Sequence, residues 1–277
     1  MNVANFIGII ILFFTIGYLC GSILFGTFVA SRKKVNIRSL GSGNVGAANI
    51  TRNLGVLYGG IVTLLDLFKA WIPTLIAVVI YNCLKDAIGD ATAFKNGGVI
   101  VYVAGFSAIV GHCYPVTYFY MLFKTKFDFA VAKKHSGGKG VASAAGFVLS
   151  VSPFAFLICF GLFWFICLTW KRVSLASILT TVAVSFWFLI PQIDYFYMLS
   201  FNINNSQILA INASNSAALI NYNPSSLWWY ILVVFLLSLL IAIIVVVRHK
   251  ENIVRLIHNQ ERQIKLFNKK KQNNSVN

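Results

Sequence analysis

The sequence predicts an all-α integral membrane protein of seven transmembrane helices, with its amino terminus outside and its carboxyl terminus cytoplasmic. Three observations predict it. Hydrophobic residues make up 58% of the 277 and charged residues only 11%, against globular averages of roughly 45–50% and roughly 25%. The apolar residues gather into runs close to the ~20 needed to cross a bilayer. Lysine and arginine, which give a formal charge of +16, concentrate in alternate connections, as the positive-inside rule requires. That charge therefore belongs to loop topology and anionic partners. Nucleic acid is excluded, because no soluble segment is large enough to fold as a basic, aromatic-bearing module. Cys20, Cys113, Cys159 and Cys167 lie in or beside apolar runs without metal-like spacing, and the odd total of 5 argues against a disulfide framework.

The first span covers residues 6–30 and is followed by Arg32, Lys33 and Lys34. It lacks the basic lead of a cleaved signal peptide and is read as retained. The second span, about 54–80, carries Asp66 and Lys69 within it. Residues 81–96 have balanced charge, as an outside loop does. The third span, about 97–120, exits into Lys124, Lys126, Lys133, Lys134 and Lys139 against Asp128, and so ends inside.

Residues 141–169 pose a question of parity. Read as one helix, they put Lys171, Arg172 and the lysine-rich tail outside and the Lys/Arg-free segment 191–226 inside. A break at Ser152-Pro153 reverses all three assignments, since proline interrupts a helix and serines can face water. The segment 141–152 is then a short or partly inserted helix of about 18 Å, paired with 154–169. The sixth span is 174–190. The seventh is 227–247, opened by Trp228, Trp229 and Tyr230 as an interface belt. One membrane domain is expected over 1–256, followed by a basic cytoplasmic tail, 257–277, read as disordered.

This topology places three polar stretches on one side. The first is Gly41-Ser-Gly-Asn-Val-Gly-Ala-Ala-Asn-Ile-Thr-Arg52. Its glycines let backbone N–H groups turn to an anion, and an arginine fork grips phosphate bidentately; a flexible polar loop is the plainer alternative. The second is Ser136-Gly-Gly-Lys-Gly-Val-Ala-Ser143, where a glycine turn and a lysine feed a helix start that favours anions. Its spacing is not that of a Walker A loop. The third is His249-Lys-Glu-Asn-Ile-Val-Arg-Leu256, which as a helix sets His249 and Asn252 on one face; a basic membrane-anchoring helix is the alternative. Deeper in, Asp66 and Lys69 are i, i+3 partners, paired with each other or facing a site. His112, near the inner end of the third span, reads as a satisfied buried histidine.

Together with Leu65-Asp-Leu-Phe-Lys69, Gly111-His-Cys-Tyr-Pro115 and Val173-Ser-Leu-Ala-Ser-Ile178, these motifs occur in an order that resembles the bacterial acyl-phosphate-dependent, PlsY-type glycerol-3-phosphate acyltransferases, from about Ser22 to Leu256. The resemblance implies a seven-span fold with the active site facing the cytoplasm of a bacterial plasma membrane. It implies acyl transfer from acyl phosphate to the sn-1 hydroxyl of glycerol 3-phosphate, giving lysophosphatidate and inorganic phosphate, the first acylation of phospholipid synthesis. No cofactor, metal, CoA or acyl carrier protein is expected. The implied partners are the two substrates, membrane lipids and a functional link to an acyl-phosphate-forming enzyme.

By the same resemblance, Ser42, Asn44, Lys139 and His249 are catalytic, and Gly43, Arg52, Gly137, Gly138, Ser143, Ser174, Ser177 and Asn252 bind substrate. Asn49, Asp66, Lys69 and His112 are structural or accessory. Three residues depart from the family pattern: Ala48 for Thr, Ala176 for Ser and Lys250 for Arg. The link from Pro115 to Gly137 is long, and its extra segment, about 119–136, is basic and aromatic. Two readings of it stay open, an amphipathic membrane-surface helix or a solvated insert. A transporter of a phosphorylated metabolite is the rival function; it would place its binding groups near the midplane among inverted repeats, whereas these motifs lie at the rim.

Overall fold

The computed structural model describes residues 3–84, 99–189 and 224–261. The connection 81–96, the segment 191–226 and the tail after residue 261 lie largely or wholly outside the described residues. Within them the chain is helical. In order come α1 (Val3–Gly21), α2 (Phe25–Arg32), a 3-10 turn (Ile37–Ser39), α3 (Ala47–Leu54), α4 (Val56–Leu84) and α5 (Val99–Cys113). Then follow α6 (Val116–Lys124), α7 (Phe129–Lys133), α8 (Val141–Val151), α9 (Pro153–Trp170), α10 (Val173–Trp187), α11 (Pro224–Arg248) and α12 (Lys250–Ile257).

Among the described residues, three stretches are long and apolar enough to cross a bilayer, Ile7–Arg32, Val56–Ile80 and Pro153–Trp170, or up to 5 if two bent helix pairs each count as one. Phe154, Leu157, Phe160, Phe165 and Leu168 of α9 are exposed. A row of large apolar side chains left outside the bundle is suited to lipid contact and costly in water. The protein is an integral membrane protein.

The break at Ser152-Pro153 is present. Pro153 takes the first helical position of α9, where its missing N–H costs nothing, and the Ser152 hydroxyl accepts from Ala155 N at 3.2 Å. The serines here do not face water, however. Ser150 and Ser152 are buried, and Ser150 Oγ donates to the Trp71 carbonyl at 3.0 Å. With lipid outside and helices inside, a hydroxyl is satisfied by the backbone of the neighbouring helix. Thus α8 is short and flanked tightly by α4: a Cβ on Gly146 would fall 2.1 Å from the Leu67 carbonyl oxygen, so only glycine allows this approach.

Three expectations need correction. The third span, about 97–120, is not one straight helix, because the chain turns by 57° between α5 and α6 at Tyr114-Pro115; proline disfavours helix at the residue before it and removes a backbone donor. The first polar stretch is not a loop throughout either: its second half is α3, which ends at Gly55 (φ 100°) before α4 begins. Arg52 is therefore carried on a helix. The first span, too, is interrupted for residues 22–24 between α1 and α2.

A shared core holds the bundle. Tyr102, Phe147 and Phe188, from α5, α8 and the end of α10, pack with ring centroids 5.8–6.1 Å apart, near the edge-to-face geometry aromatic quadrupoles prefer. They fix α8 against α5 and α10. The polar first turns of α8 and α10 are brought to the same end of the molecule as α12, which leaves α11 at 63°.

Candidate active site

The site begins with the glycines before α8. Gly137 N donates to the Cys113 carbonyl at 3.0 Å, seating the turn on the end of α5. A Cβ on Gly138 would lie 2.2 Å from His112 Nε2, so the turn lies directly on the imidazole ring. Arg248 clamps it from the other side. Its guanidinium donates to the Gly138 carbonyl at 3.2 Å, the Gly137 carbonyl at 2.7 Å and Ser136 Oγ at 3.1 Å. With its carbonyls claimed by one cation, the turn has a fixed backbone from which Lys139 projects. Gly140, in the left-handed conformation (φ 89°), then starts α8.

Lys139 Nζ donates to Asn252 Oδ1. Asn252 Nδ2 donates to Ser174 Oγ at 2.6 Å and to Glu261 Oε1 at 2.9 Å. Ser174 Oγ donates to Glu261 Oε1 at 2.5 Å, and Arg255 Nε to Glu261 Oε2 at 3.2 Å. Burial lowers the Lys139 ammonium to about 8, the positive charges of Arg255 and Arg52 add to the lowering, and Glu261 opposes it. Burial alone would raise the Glu261 carboxyl, but hydrogen bonds from Ser174, Asn252 and Arg255 hold it below the usual range. The carboxylate is thus spent on its neighbours, and Lys139 has an amide rather than a counter-ion as its direct partner.

His249, buried between α11 and α12, has Nδ1 2.7 Å from the Val245 carbonyl. A carbonyl only accepts, so Nδ1 carries the proton and Nε2 is left as an acceptor. Burial, with the charge of Lys139, lowers this imidazole to about 4. It is neutral at pH 7 and a weak base.

The first stretch forms the neighbouring wall. Asn49 is buried; its Nδ2 donates to the Leu40 carbonyl at 3.0 Å and its Oδ1 accepts from Ser42 N at 3.1 Å. Asn44 Oδ1 accepts from Gly46 N at 2.7 Å, and Ser42 Oγ from Asn44 N at 3.4 Å, which shapes the turn holding Gly43 (φ 68°). A Cβ on Gly46 would reach to 3.9 Å from Gly138 Cα, so the two glycine turns face each other. Arg38 joins them through the Ser136 carbonyl at 2.9 Å.

Lys139, Asn252, Ser174 and His249 therefore converge, with Arg52 close enough to act on the Lys139 charge. Two candidate hydroxyl residues stand elsewhere: Ser143 Oγ, fully buried, donates to the Asp66 carbonyl at 2.9 Å, while Ser177 is buried one turn beyond Ser174 and its carbonyl accepts from Thr181. Asp66 and Lys69 pair at 3.0 Å, Lys69 also donates to the Ile23 carbonyl at 2.8 Å, and His112 Nδ1 lies 3.6 Å from the carboxylate without a hydrogen bond. Glu261, Arg248, Arg255 and Arg38 are not among the candidate residues that the sequence motifs single out. Arg248 and Arg255 looked like ordinary tail charges. Glu261 gave one signal, an acid in a basic segment.

Such a bundle, with cations and amides gathered at one end, is that of an integral membrane protein. The family profile for glycerol-3-phosphate acyltransferase matches residues 11–259. The glycerol-3-phosphate acyltransferase of Malacoplasma penetrans is 57% identical over 98% of both chains, and that of Aquifex aeolicus is 40% identical over 60% of this chain and 72% of its own. The crystal structure of PlsY (YgiH), an integral membrane glycerol 3-phosphate acyltransferase, in its glycerol 3-phosphate form superposes with a TM-score of 0.59 at 31% identity, over 92% of this chain and 95% of that one. Its lysphosphatidic acid form gives 0.57. The chain belongs to the glycerol-3-phosphate acyltransferase family and is an enzyme of that class.

Proposed function

We propose that this enzyme moves an acyl group from acyl phosphate to the sn-1 hydroxyl of glycerol 3-phosphate at the cytoplasmic face of a bacterial plasma membrane. The products are lysophosphatidate and inorganic phosphate. The observation that carries this reading is Lys139, held by Asn252 among Ser174, Glu261, Arg255 and Arg52. Both substrates bring phosphate, and a cation hydrogen-bonded to an amide keeps its charge for them. The glycerol 3-phosphate and lysphosphatidic acid forms of PlsY support the acceptor and the product.

In the proposed step the glycerol oxygen bonds to the acyl carbon and the bond from that carbon to the phosphate oxygen breaks. The hydroxyl proton passes to the departing phosphate. The neutral, weakly basic His249 supports this route, because a group of pKa about 4 is a poor proton acceptor at pH 7. Its Nε2 instead accepts a hydrogen bond from glycerol 3-phosphate, with Asn252 beside it. Lys139 neutralises the acyl phosphate, Arg52 grips a phosphate, and Ser42 and Asn44 bind phosphate or carbonyl oxygens, with Gly43, Gly137 and Gly138 lending backbone N–H groups. Ser174, Ser177 and Ser143 would supply hydroxyls, the last after leaving the Asp66 carbonyl. Asn49, Asp66, Lys69 and His112 hold the walls in place. Neither cofactor nor metal is required by these steps.

Seven spans with the amino end outside complete the reading: α1 with α2, α4, α5, the short α8, α9, α10 and α11. Purified protein in vesicles, given synthetic acyl phosphate and radiolabelled glycerol 3-phosphate, should produce a lipid-soluble label. Label trapped inside the vesicles as unchanged glycerol 3-phosphate would instead mean a transporter.

A further inference from the structure

The segment after Pro115 touches the bundle at few points, Phe119 against Tyr18 of α1 with ring centroids 6.4 Å apart and Lys133 against Glu251. Helix α6 departs from α5 by 57°. Tyr120, Phe123, Phe127 and Phe129 are 58–63% exposed, and Val116 and Phe119 extend the same face. Residues 116, 119, 120 and 123 recur at i, i+3, i+4 and i+7, the spacing of one helix face. Phe127 carries that face past the helix end, its ring centroid 5.4 Å from that of Phe123. The backbone there is left-handed at two non-glycine residues, Lys126 (φ 51°) and Phe127 (φ 68°), a conformation that bulky side chains avoid.

Cations border this aromatic face. Lys124 Nζ lies 5.6 Å over the Tyr120 ring, and Lys126, Lys133 and Lys134 are exposed. The acid among them, Asp128, is occupied in capping α7, accepting from Ala130 N at 2.9 Å and Val131 N at 3.1 Å. The arm is also tied to the rim of the site: Lys133 pairs with Glu251 of α12 at 2.8 Å, and the glycine turn follows α7 directly.

We propose that α6 and α7 form an interfacial arm that seats on the anionic headgroups of the protein's own bilayer. The aromatic rings enter the acyl boundary, and Lys124, Lys126 and Lys134 face the phosphates. Charge complementarity and continuity with α5 both select this occupant: rings able to lie at the headgroup level, with lysines beside them, match an anionic interface. Each lysine near such a surface shifts partitioning about fivefold, so three give on the order of a hundredfold, which salt screens. The proposal rests on the membrane reading but not on the catalytic one.

Amide hydrogen exchange on the full-length protein tests it, in nanodiscs of phosphatidylcholine alone or with roughly a third phosphatidylglycerol. Residues 116–134 should exchange at least about tenfold more slowly in the anionic discs, with α1 and α5 unchanged as internal references. The difference should collapse in about 0.5 M salt and in a K124Q/K126Q/K134Q variant; the salt arm uses wild-type protein, so a folding defect in the variant leaves the test intact. Equal exchange in both lipids overturns the proposal. So does protection that arises only when two copies share a disc, which would assign the face to a second copy of the chain. Because the readout is exchange, loss of acyl transfer with arm protection intact refutes the catalytic reading alone.

Discussion

Lys69 and Lys139 each sit beside a histidine and near a carboxylate, in opposite circumstances. Lys69 meets Asp66 directly at 3.0 Å, both are buried, and the ammonium also reaches the Ile23 carbonyl. Lys139 meets an amide, and its nearby carboxylate is engaged by Ser174, Asn252 and Arg255. The first arrangement closes on itself and supports the helices beneath the glycine turn. The second leaves a cation under-compensated, which the site needs if two phosphates are to enter. A lysine–acid pair in a membrane protein is thus informative only when the partner of each atom is known.

The largest expected effect comes from breaking the closed pair. Asp66→Ala strands Lys69 among helices and should destabilise the fold by about 3–5 kcal/mol, read as a lowered unfolding midpoint in detergent. The open pair should respond differently. Lys139→Ala should lose about 10²- to 10³-fold in acyl-phosphate-dependent turnover while its unfolding midpoint stays near wild type; near-normal turnover would remove Lys139 from the mechanism. Arg248→Gln is intermediate, since the Gly137 and Gly138 carbonyls lose their donor: a roughly tenfold rise in KM for glycerol 3-phosphate is expected, about 1.4 kcal/mol, with partial recovery in Arg248→Lys.

The smallest effect is a pH dependence. With Lys139 lowered to about 8 from 10.5, kcat/KM should fall tenfold per unit above about pH 8. Stability should move the other way. Between about 8 and 10.5 the unfolded chain keeps a proton that the folded chain has released, so this residue's contribution rises with pH. Lys139→Arg should lose the falling limb, and a limb that persists in that variant would belong to another group.

Much of this was legible in the residues. Parity of charge located the break at Ser152-Pro153, and motif order brought Lys139, Ser174, Asn252 and His249 into one site. What escaped was of two kinds. Local geometry escaped where apolar composition overrode a breaker: the run around Pro115 is hydrophobic enough to read as one span although the chain bends there. Long-range pairing escaped because hydropathy does not report it. Glu261 reaches Ser174 across 87 residues, and Arg248, at the end of α11, looks like any positive-inside charge.

The position of Glu261 also sets an order of events in biogenesis. A ribosome feeds the chain into the membrane from the amino end, so Lys139 and Ser174 are in place well before residues 252–261 are made. Until then Lys139 lacks its amide and Ser174 its carboxylate. A chain made only as far as α10 therefore lacks the groups that hold Lys139 and Ser174 in this arrangement.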